Sequence, residues 1–218
     1  MKKYIVLILT ILILCGCSNK NNNSNSNNNS NSSSNDILEK KPVIYLYPDK
    51  DMEVNIKLVK EENLTTTYPK YNGGWKVYAK TNGNLTIDGK NYYALYWEGK
   101  TNTLEDVKDE GFVVKGKDAS EFLEEKLSLL GLNERESNEF IMYWLPVLEK
   151  NKYNYIRFAS KEEIDEAMPL NIEPKPNNVI RVLMLFKSLD TKIEVKEQII
   201  ETPNRDGFTV VEWGGANI

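Results

Sequence analysis

The stretch DASEFLEEKLSLLGLNERESNEFIMYWLPVL, residues 118–148, decides the fold class, because here the apolar residues recur with the period of an amphipathic helix. The first half ends at Gly131, as helices commonly do, and its apolar face consists of Phe122, Leu123, Leu127 and Leu130. The second half has an apolar face of Phe140, Ile141, Trp144, Leu145 and Leu148. We therefore expect a helical hairpin whose apolar faces pack on another layer.

The predicted helices also carry end signals. Asp118 is followed three residues later by Glu121, and Asn133 by Glu136, so both helices are predicted to begin with a capping box. Pro146 lies inside the second helix, where its missing N–H predicts a kink or an early end.

Upstream of this stretch the sequence predicts strands. Residues 43–47 form an apolar run between Pro42 and Pro48, which is typical of a buried strand. Alternating, aromatic-rich or short apolar runs predict further strands at residues 52–58, 75–79, 92–98 and 112–114. Two hairpin turns are predicted at Asn82-Gly83 and Asp88-Gly89.

Downstream, the pattern returns to strands. Residues 179–186 are continuously apolar and predict a central strand. Further strands are predicted at residues 155–159, 193–200 and 208–213. Strands, then two helices, then strands predict an α+β fold: a mostly antiparallel β-sheet or sandwich with an inserted helical hairpin.

The N-terminus resembles the lipobox of bacterial lipoproteins. After Lys2 and Lys3, about 11 apolar residues lead to LCGC, residues 14–17, whereas a membrane-spanning helix needs roughly 20. Cys15 follows the bulky Leu14, but Cys17 follows a glycine that suits a cleavage site. The resemblance implies that Cys17 becomes a lipid-bearing N-terminus. The alternative is an ordinary signal peptide whose cysteines have no role.

The segment after Cys17 is predicted to be a flexible tether. Residues 18–35 are Asn and Ser apart from Lys20, so they have no apolar surface with which to offset the entropy of ordering. We expect a signal peptide at residues 1–16, the lipidated Cys17 with a disordered Asn/Ser-rich tether at 17–39, and one α+β domain at 40–218.

The composition excludes several kinds of catalytic and metal-binding site. The chain has no histidine, and its two cysteines lie near the N-terminus, so His-based metal sites and Ser-His-Asp or Cys-His catalysis are excluded. We predict no metal and no cofactor. Removal of residues 1–16 takes away two lysines and changes the net charge from −4 to −6. This negative charge disfavours the binding of nucleic acid. Membrane attachment is therefore expected through the lipid alone.

Four motifs resemble those of an uncharacterised family of secreted and lipid-anchored bacterial proteins. They are KPVIYLYP at residues 41–48, YWEG at 96–99, YWLP at 143–146 and VVEWGG at 210–215. The resemblance implies one domain with one fold, and it supplies no catalytic residues.

Glu98 and Glu212 are the candidate catalytic residues, because each carboxylate sits beside a tryptophan near a predicted strand end. Two such carboxylates could be the acid and base of a glycosidase-like reaction, with Trp97 and Trp213 as sugar platforms. The alternative is that each carboxylate pairs with a semi-buried arginine of the sheet.

Those arginines are Arg157 and Arg181. Each lies in an apolar strand and could hold a carboxylate or phosphate ligand, or could instead be ion-paired within the fold. The aromatic residues of the first half are similarly ambiguous between glycan binding and core packing; they are Tyr45, Tyr47, Tyr92, Tyr93, Tyr96, Trp75 and Trp97.

Three classes of function follow from the sequence. The favoured one is a lipid-anchored module on the extracytoplasmic face of the cell membrane that binds a cell-wall glycan or an envelope protein. The alternative is a carboxylate-dependent cell-wall glycan hydrolase that uses Glu98 and Glu212. A substrate-capture lipoprotein is disfavoured, since such receptors have two lobes and longer chains.

Overall fold

The structure is a computed structural model that describes residues 37–104 and 107–218. It has an α+β fold, as predicted. The predicted signal peptide, Cys17 and most of the predicted tether lie outside the described residues. In the part of the chain that is described, no helix is both long and apolar enough to span a bilayer.

The larger sheet has eight strands in the order β12-β8-β9-β11-β13-β1-β7-β3. Most neighbours are antiparallel, whereas β11 with β13 and β12 with β8 are parallel. The strands are β1 (Ile37–Tyr47), β3 (Leu64–Tyr68), β7 (Leu95–Thr101), β8 (Glu110–Lys115), β9 (Tyr153–Phe158), β11 (Asn178–Leu189), β12 (Lys196–Glu197) and β13 (Thr209–Asn217).

The smaller sheet is an antiparallel array of five strands in the order β10-β2-β4-β5-β6. Both predicted turns connect its strands, and Asp88 and Gly89 have the positive φ angles, +48° and +75°, that a tight hairpin turn requires. The strands are β2 (Met52–Leu58), β4 (Trp75–Ala79), β5 (Leu85–Ile87), β6 (Lys90–Tyr92) and β10 (Leu170–Glu173).

Within residues 37–104 and 107–218, three α-helices and two short 3-10 helices complete the fold: α1 (Ala119–Leu129), α2 (Glu134–Leu148), α3 (Lys161–Ala167), Glu61–Asn63 and Gly116–Asp118. Asn133 and Glu136 form the predicted capping box of α2. Asp118 makes no side-chain cap, because a 3-10 turn leads directly into α1, so that prediction is wrong. The early end predicted at Pro146 is wrong, since α2 continues to Leu148.

The eight-stranded sheet separates two apolar layers. Because side chains alternate along a strand, Val43 and Tyr45 of β1 pack with α1 and α2. Their neighbours Ile44 and Leu46 pack with the five-stranded sheet on the other face. A smaller cluster on that second face joins α3 to β11.

Several strands differ from the sequence prediction; the strand predicted at residues 92–98, for example, is divided between β6 and β7. Residues 37–39, assigned to the tether, belong to β1, where Ile37 pairs with Thr101. The strand predicted at residues 193–200 is reduced to the two residues of β12. There the Gln198 side chain bonds both the N–H and the C=O of Phe158, at 2.9 and 2.7 Å, and so occupies the place of a further strand.

Candidate functional site

Glu212 is buried in an ion pair. Its side chain lies opposite Arg181 in the parallel register of β13 and β11, and Arg181 Nε donates to Glu212 Oε2 at 2.6 Å. Trp97 Nε1 donates to the other carboxylate oxygen at 2.8 Å. Only 4% of Glu212 is exposed. The predicted alternative, in which an arginine of the sheet satisfies this carboxylate, is confirmed.

Helix α3 supplies further partners to Arg181. Its Nη1 donates to Asp165 Oδ1 at 2.9 Å and to the carbonyl oxygen of Met168 at 2.8 Å. Burial would raise the pKa of Asp165, but hydrogen bonds from Lys161 and Arg181 lower it below its usual value. Arg181 is therefore held by acidic partners within the fold, which is the ion-paired alternative predicted for it.

Arg157 has the same kind of role one strand away. It is 2% exposed, and its Nη1 donates to Glu163 Oε2 at 3.0 Å. Burial alone would raise the pKa of Glu163, but hydrogen bonds from Lys108, the Ser160 backbone and Arg157 lower it to about 2. Arg157 is thus held inside the protein rather than presented to a ligand.

Glu98 and Glu212 lie on opposite faces of the eight-stranded sheet. Val43 is the register partner of both Tyr96 and Trp213, so these two side chains share a face. Glu98 is two residues from Tyr96, so its side chain lies on that same face. Glu212 is next to Trp213, so its side chain lies on the opposite face. The predicted acid and base pair is therefore wrong.

The predicted sugar platforms are core residues. Trp97 and Trp213 are both fully buried. Trp213 Nε1 donates to the Tyr45 hydroxyl at 3.1 Å, and Trp97 holds Glu212 as described above. Trp97 is enclosed by the core, so its assignment to glycan binding is wrong, whereas Trp213, although buried, also lines an open groove on the helix face.

The four motifs that resemble the secreted family converge on β13. A β-carbon added to Gly214 would lie 3.2 Å from Pro42 of the first motif. One added to Gly215 would lie 2.6 Å from the Trp144 ring of the helical motif. Together with the Trp97–Glu212 and Tyr45–Trp213 hydrogen bonds, these contacts explain the motifs as a packing unit of the core.

An open groove on the helix face is the best candidate binding site. It has a volume of about 840 Å³ and lies between α2 and the segment from β6 to β7. We call it the tyrosine groove; it is lined by Lys41, Val43, Tyr68, Asn91, Tyr92, Tyr93, Ala94, Tyr96, Glu139, Met142, Tyr143 and Trp213.

Large apolar side chains are exposed around this groove. Tyr68 is 63% exposed, Tyr93 47%, Met142 69% and Tyr143 36%. Met142 and Tyr143 lie on the outward side of α2, whose buried side is formed by Phe140, Trp144 and Leu148. Exposed aromatic residues grouped at one concave surface are typical of a binding site rather than of an ordinary surface.

A hydrogen-bond network fixes the wall of the groove. The buried Tyr45 hydroxyl donates to Glu139 Oε2 at 2.6 Å, and Arg135 Nε donates to Glu139 Oε1 at 3.1 Å. The Arg135 guanidinium also lies 4.3 Å from the centre of the Tyr93 ring. Burial and the bond to Glu139 raise the pKa of Tyr45 above its ordinary range, so Tyr45 remains a neutral donor.

Lys41 reaches into the groove from a distorted part of β1. Its φ of +58° is left-handed, a conformation that costs a non-glycine residue about 1–2 kcal/mol. It sits at a β-bulge, because the register between β1 and β13 shifts between Lys40 and Val43. The bulge places Lys41 Nζ 5.6 Å from the Tyr96 ring centre and 5.2 Å from that of Tyr143.

Sequence reasoning found part of this groove. Tyr92, Tyr93 and Tyr96 are close together in the sequence, and the sequence is compatible with a role of these tyrosines in either glycan binding or core packing. Lys41 and Tyr143 were missed as site residues, because they come from distant elements. The one available signal was the position of Tyr143 outside the apolar face of its predicted helix.

Comparisons with known proteins give little further guidance. No family model matches the sequence, and no solved structure matches the chain. A protein of Butyrivibrio fibrisolvens named "Uncharacterized protein in bglA 3'region" is 42% identical over 62 residues. The match covers 27% of this chain and 65% of that protein. Among residues 37–104 and 107–218 there is no cluster of three acidic, histidine or cysteine residues suited to a metal ion.

Proposed function

We propose that this protein is a lipid-anchored binding module of the cell envelope that captures a glycan in the tyrosine groove. The observation that carries the proposal is the group of exposed tyrosines, Tyr68, Tyr93 and Tyr143, around one concave surface. The separation of Glu98 from Glu212 removes the reason for favouring a hydrolase.

A saccharide matches the chemistry of this surface. Sugar rings present flat C–H faces that pack on aromatic rings, and hydroxyl groups that need hydrogen-bond partners at the rim. The groove offers both, since Tyr93 and Tyr143 provide rings while Asn91 and Glu139 provide polar atoms. Tyrosine has few rotatable bonds, so ordering it on binding costs little entropy.

The proposal places the groove outside the cytoplasmic membrane. Lipid attachment at Cys17 would hold the protein at the extracytoplasmic face, and the Asn/Ser-rich segment would separate the folded domain from the lipid. The lipobox and the four family-like motifs support this arrangement. Envelope glycan would then be a ligand of suitable chemistry within reach, and an envelope protein is the second choice.

We also propose a finer description of the scaffold. The two sheets form a β-sandwich, and α1 and α2 are inserted as a helical hairpin. The shared apolar cluster of Ile44, Val54 and Leu85 supports the sandwich. Direct packing between α1 and α2 supports the hairpin.

Retention on purified bacterial cell-wall glycan tests the function. Tyr143→Ala and Tyr93→Ala should each weaken retention about tenfold, because each loses a stacking surface. Tyr78→Ala is the matched control, since Tyr78 is 44% exposed but belongs to β4 of the smaller sheet, outside the groove. Full retention of both groove variants would refute the proposal.

A further inference from the structure

The position of Lys41 in the tyrosine groove identifies the class of glycan. A left-handed backbone conformation at a non-glycine residue persists only where its surroundings impose it, and such residues cluster at functional sites. β-bulges likewise often turn a side chain toward a site. Both features occur together at Lys41, and their result is an ammonium group between two groove tyrosines.

Neither Glu139 nor Glu98, the two carboxylates closest to the groove tyrosines, forms an ion pair with this ammonium. Glu139, on the opposite wall, is bonded to Tyr45 and Arg135. Burial, and after it the Glu98 carboxylate on the same face, raises the pKa of both Tyr96 and Tyr143 above the ordinary value. Among the side chains that the structure describes, no carboxylate forms an ion pair with Lys41. The groove therefore contains a half-buried positive charge that forms no ion pair with a described side chain.

We propose that Lys41 binds an anionic substituent of the glycan, so that the ligand of the tyrosine groove is an acidic saccharide that carries a carboxylate or a phosphate. This inference rests on the proposed function and specifies its ligand. A lysine ammonium acts as a point charge without the two-pronged geometry of arginine, so it accepts either anion. The tyrosines bind the sugar rings, and Lys41 selects the charged ones.

The net negative charge of the protein does not oppose this selection. At physiological ionic strength the Debye length is about 8 Å, so charges distant from the groove are largely screened. A partly buried ammonium in direct contact with the ligand is screened much less. The local charge of Lys41 therefore dominates over the net charge of −4.

The test measures how much of the full-length protein is retained on cell-wall glycan. Three preparations of the glycan are compared: untreated glycan, glycan whose carboxylates have been amidated, and glycan whose phosphodiesters have been removed by hydrofluoric acid. Lys41→Met should weaken retention on untreated glycan about tenfold or more, because the charge-assisted hydrogen bond is lost. Lys41→Arg should retain most of the binding. Lys40→Met is the matched control, since Lys40 is the exposed neighbour outside the groove.

One of the two chemical treatments should reduce retention of the wild type to the level of Lys41→Met, and which treatment does so identifies the anion. Equal retention of Lys41→Met and wild type, or no effect of either treatment, would overturn the inference. Tighter retention of Lys41→Met would also overturn it, because Lys41 would then be occupying the place of a cationic ligand. If Tyr143→Ala still loses binding in those cases, the groove function survives; if it does not, both proposals fail.

Discussion

On one face of the eight-stranded sheet Glu212 is buried against Arg181, whereas on the other face Glu98 is half-buried near the tyrosine groove. Both carboxylates follow or precede a tryptophan in sequence, and both looked equally suited to catalysis. The difference is the layer that covers each face. The five-stranded sheet and α3 cover the face that bears Glu212, which we call the closed face, and a buried charge there must be paired within the fold.

The face that bears Glu98, which we call the open face, is covered only in part. Helices α1 and α2 pack on its centre, and the tyrosine groove opens beside α2. Side chains at this edge remain accessible, so their chemistry is available to a ligand. The comparison shows that accessibility, rather than residue type, separates the structural carboxylates and aromatics of this protein from those at the candidate site.

The largest effect on stability is expected from a substitution that breaks the Glu212–Arg181 ion pair on the closed face. Glu212→Gln leaves Arg181 with Asp165 as its remaining acidic partner, and loss of a buried ion-pair partner costs about 3 kcal/mol. For a chain of this size the Tm should fall by about 6–12 °C. Thermal denaturation followed by circular dichroism measures this change.

Glu98→Gln is the matched control, because it makes the same substitution on the open face. Its free energy of unfolding should change by no more than about 0.5 kcal/mol, as for other substitutions away from buried networks. Equal losses of Tm in the two variants would contradict the distinction between the faces.

An intermediate effect is expected on the pH dependence of stability, through Glu163 on the closed face. The folded-state pKa of Glu163 is lowered to about 2 from an ordinary value of 4.5. The carboxylate therefore contributes stability that is fully present above pH 4.5 and is lost as the pH falls toward 2. Across this window the Tm of the wild type should fall more steeply than that of Glu163→Gln.

Glu162→Gln controls for general acid unfolding, since Glu162 is the exposed neighbour on the same helix. Its Tm should follow the wild-type curve. If Glu163→Gln also follows that curve, Glu163 does not couple folding to pH, and the network around Arg157 contributes less than its geometry indicates.

The smallest effect on stability is expected in the groove. Tyr143→Ala removes a side chain from the outward surface of α2, and its free energy of unfolding should change by about 0.5 kcal/mol or less. The same variant is expected to lose glycan retention. A large fall in Tm would show that Tyr143 supports the core, and would remove the contrast between the two faces.

Local patterns predicted most of the strands and helices. Residues 52–58 and 75–79 form β2 and β4 with the predicted bounds, and Asn133 caps α2 as expected. Helix α3 was missed, although Ser160 and Glu163 form a capping box that a scan for this motif would have detected. The short β12 could not be predicted, because the pairing that replaces it comes from a side chain, Gln198.

The site could not be predicted from local patterns. The face of a strand residue depends on its register with distant strands, and a single bulge changes that register by one residue. Thus the pairing of Val43 with both Tyr96 and Trp213 decides the faces of Glu98 and Glu212. No local pattern contains that information.

By itself, the sequence determined the α+β class and the absence of histidine chemistry, because hydrophobic period and composition are properties of short segments or of the whole chain. Only the tertiary structure decided that Glu212 and Trp213 serve the core while Lys41 and Tyr143 meet at a groove. The physical reason is that burial and proximity result from long-range packing: the same residue types become structural where a second layer covers them, and available to a ligand where it does not.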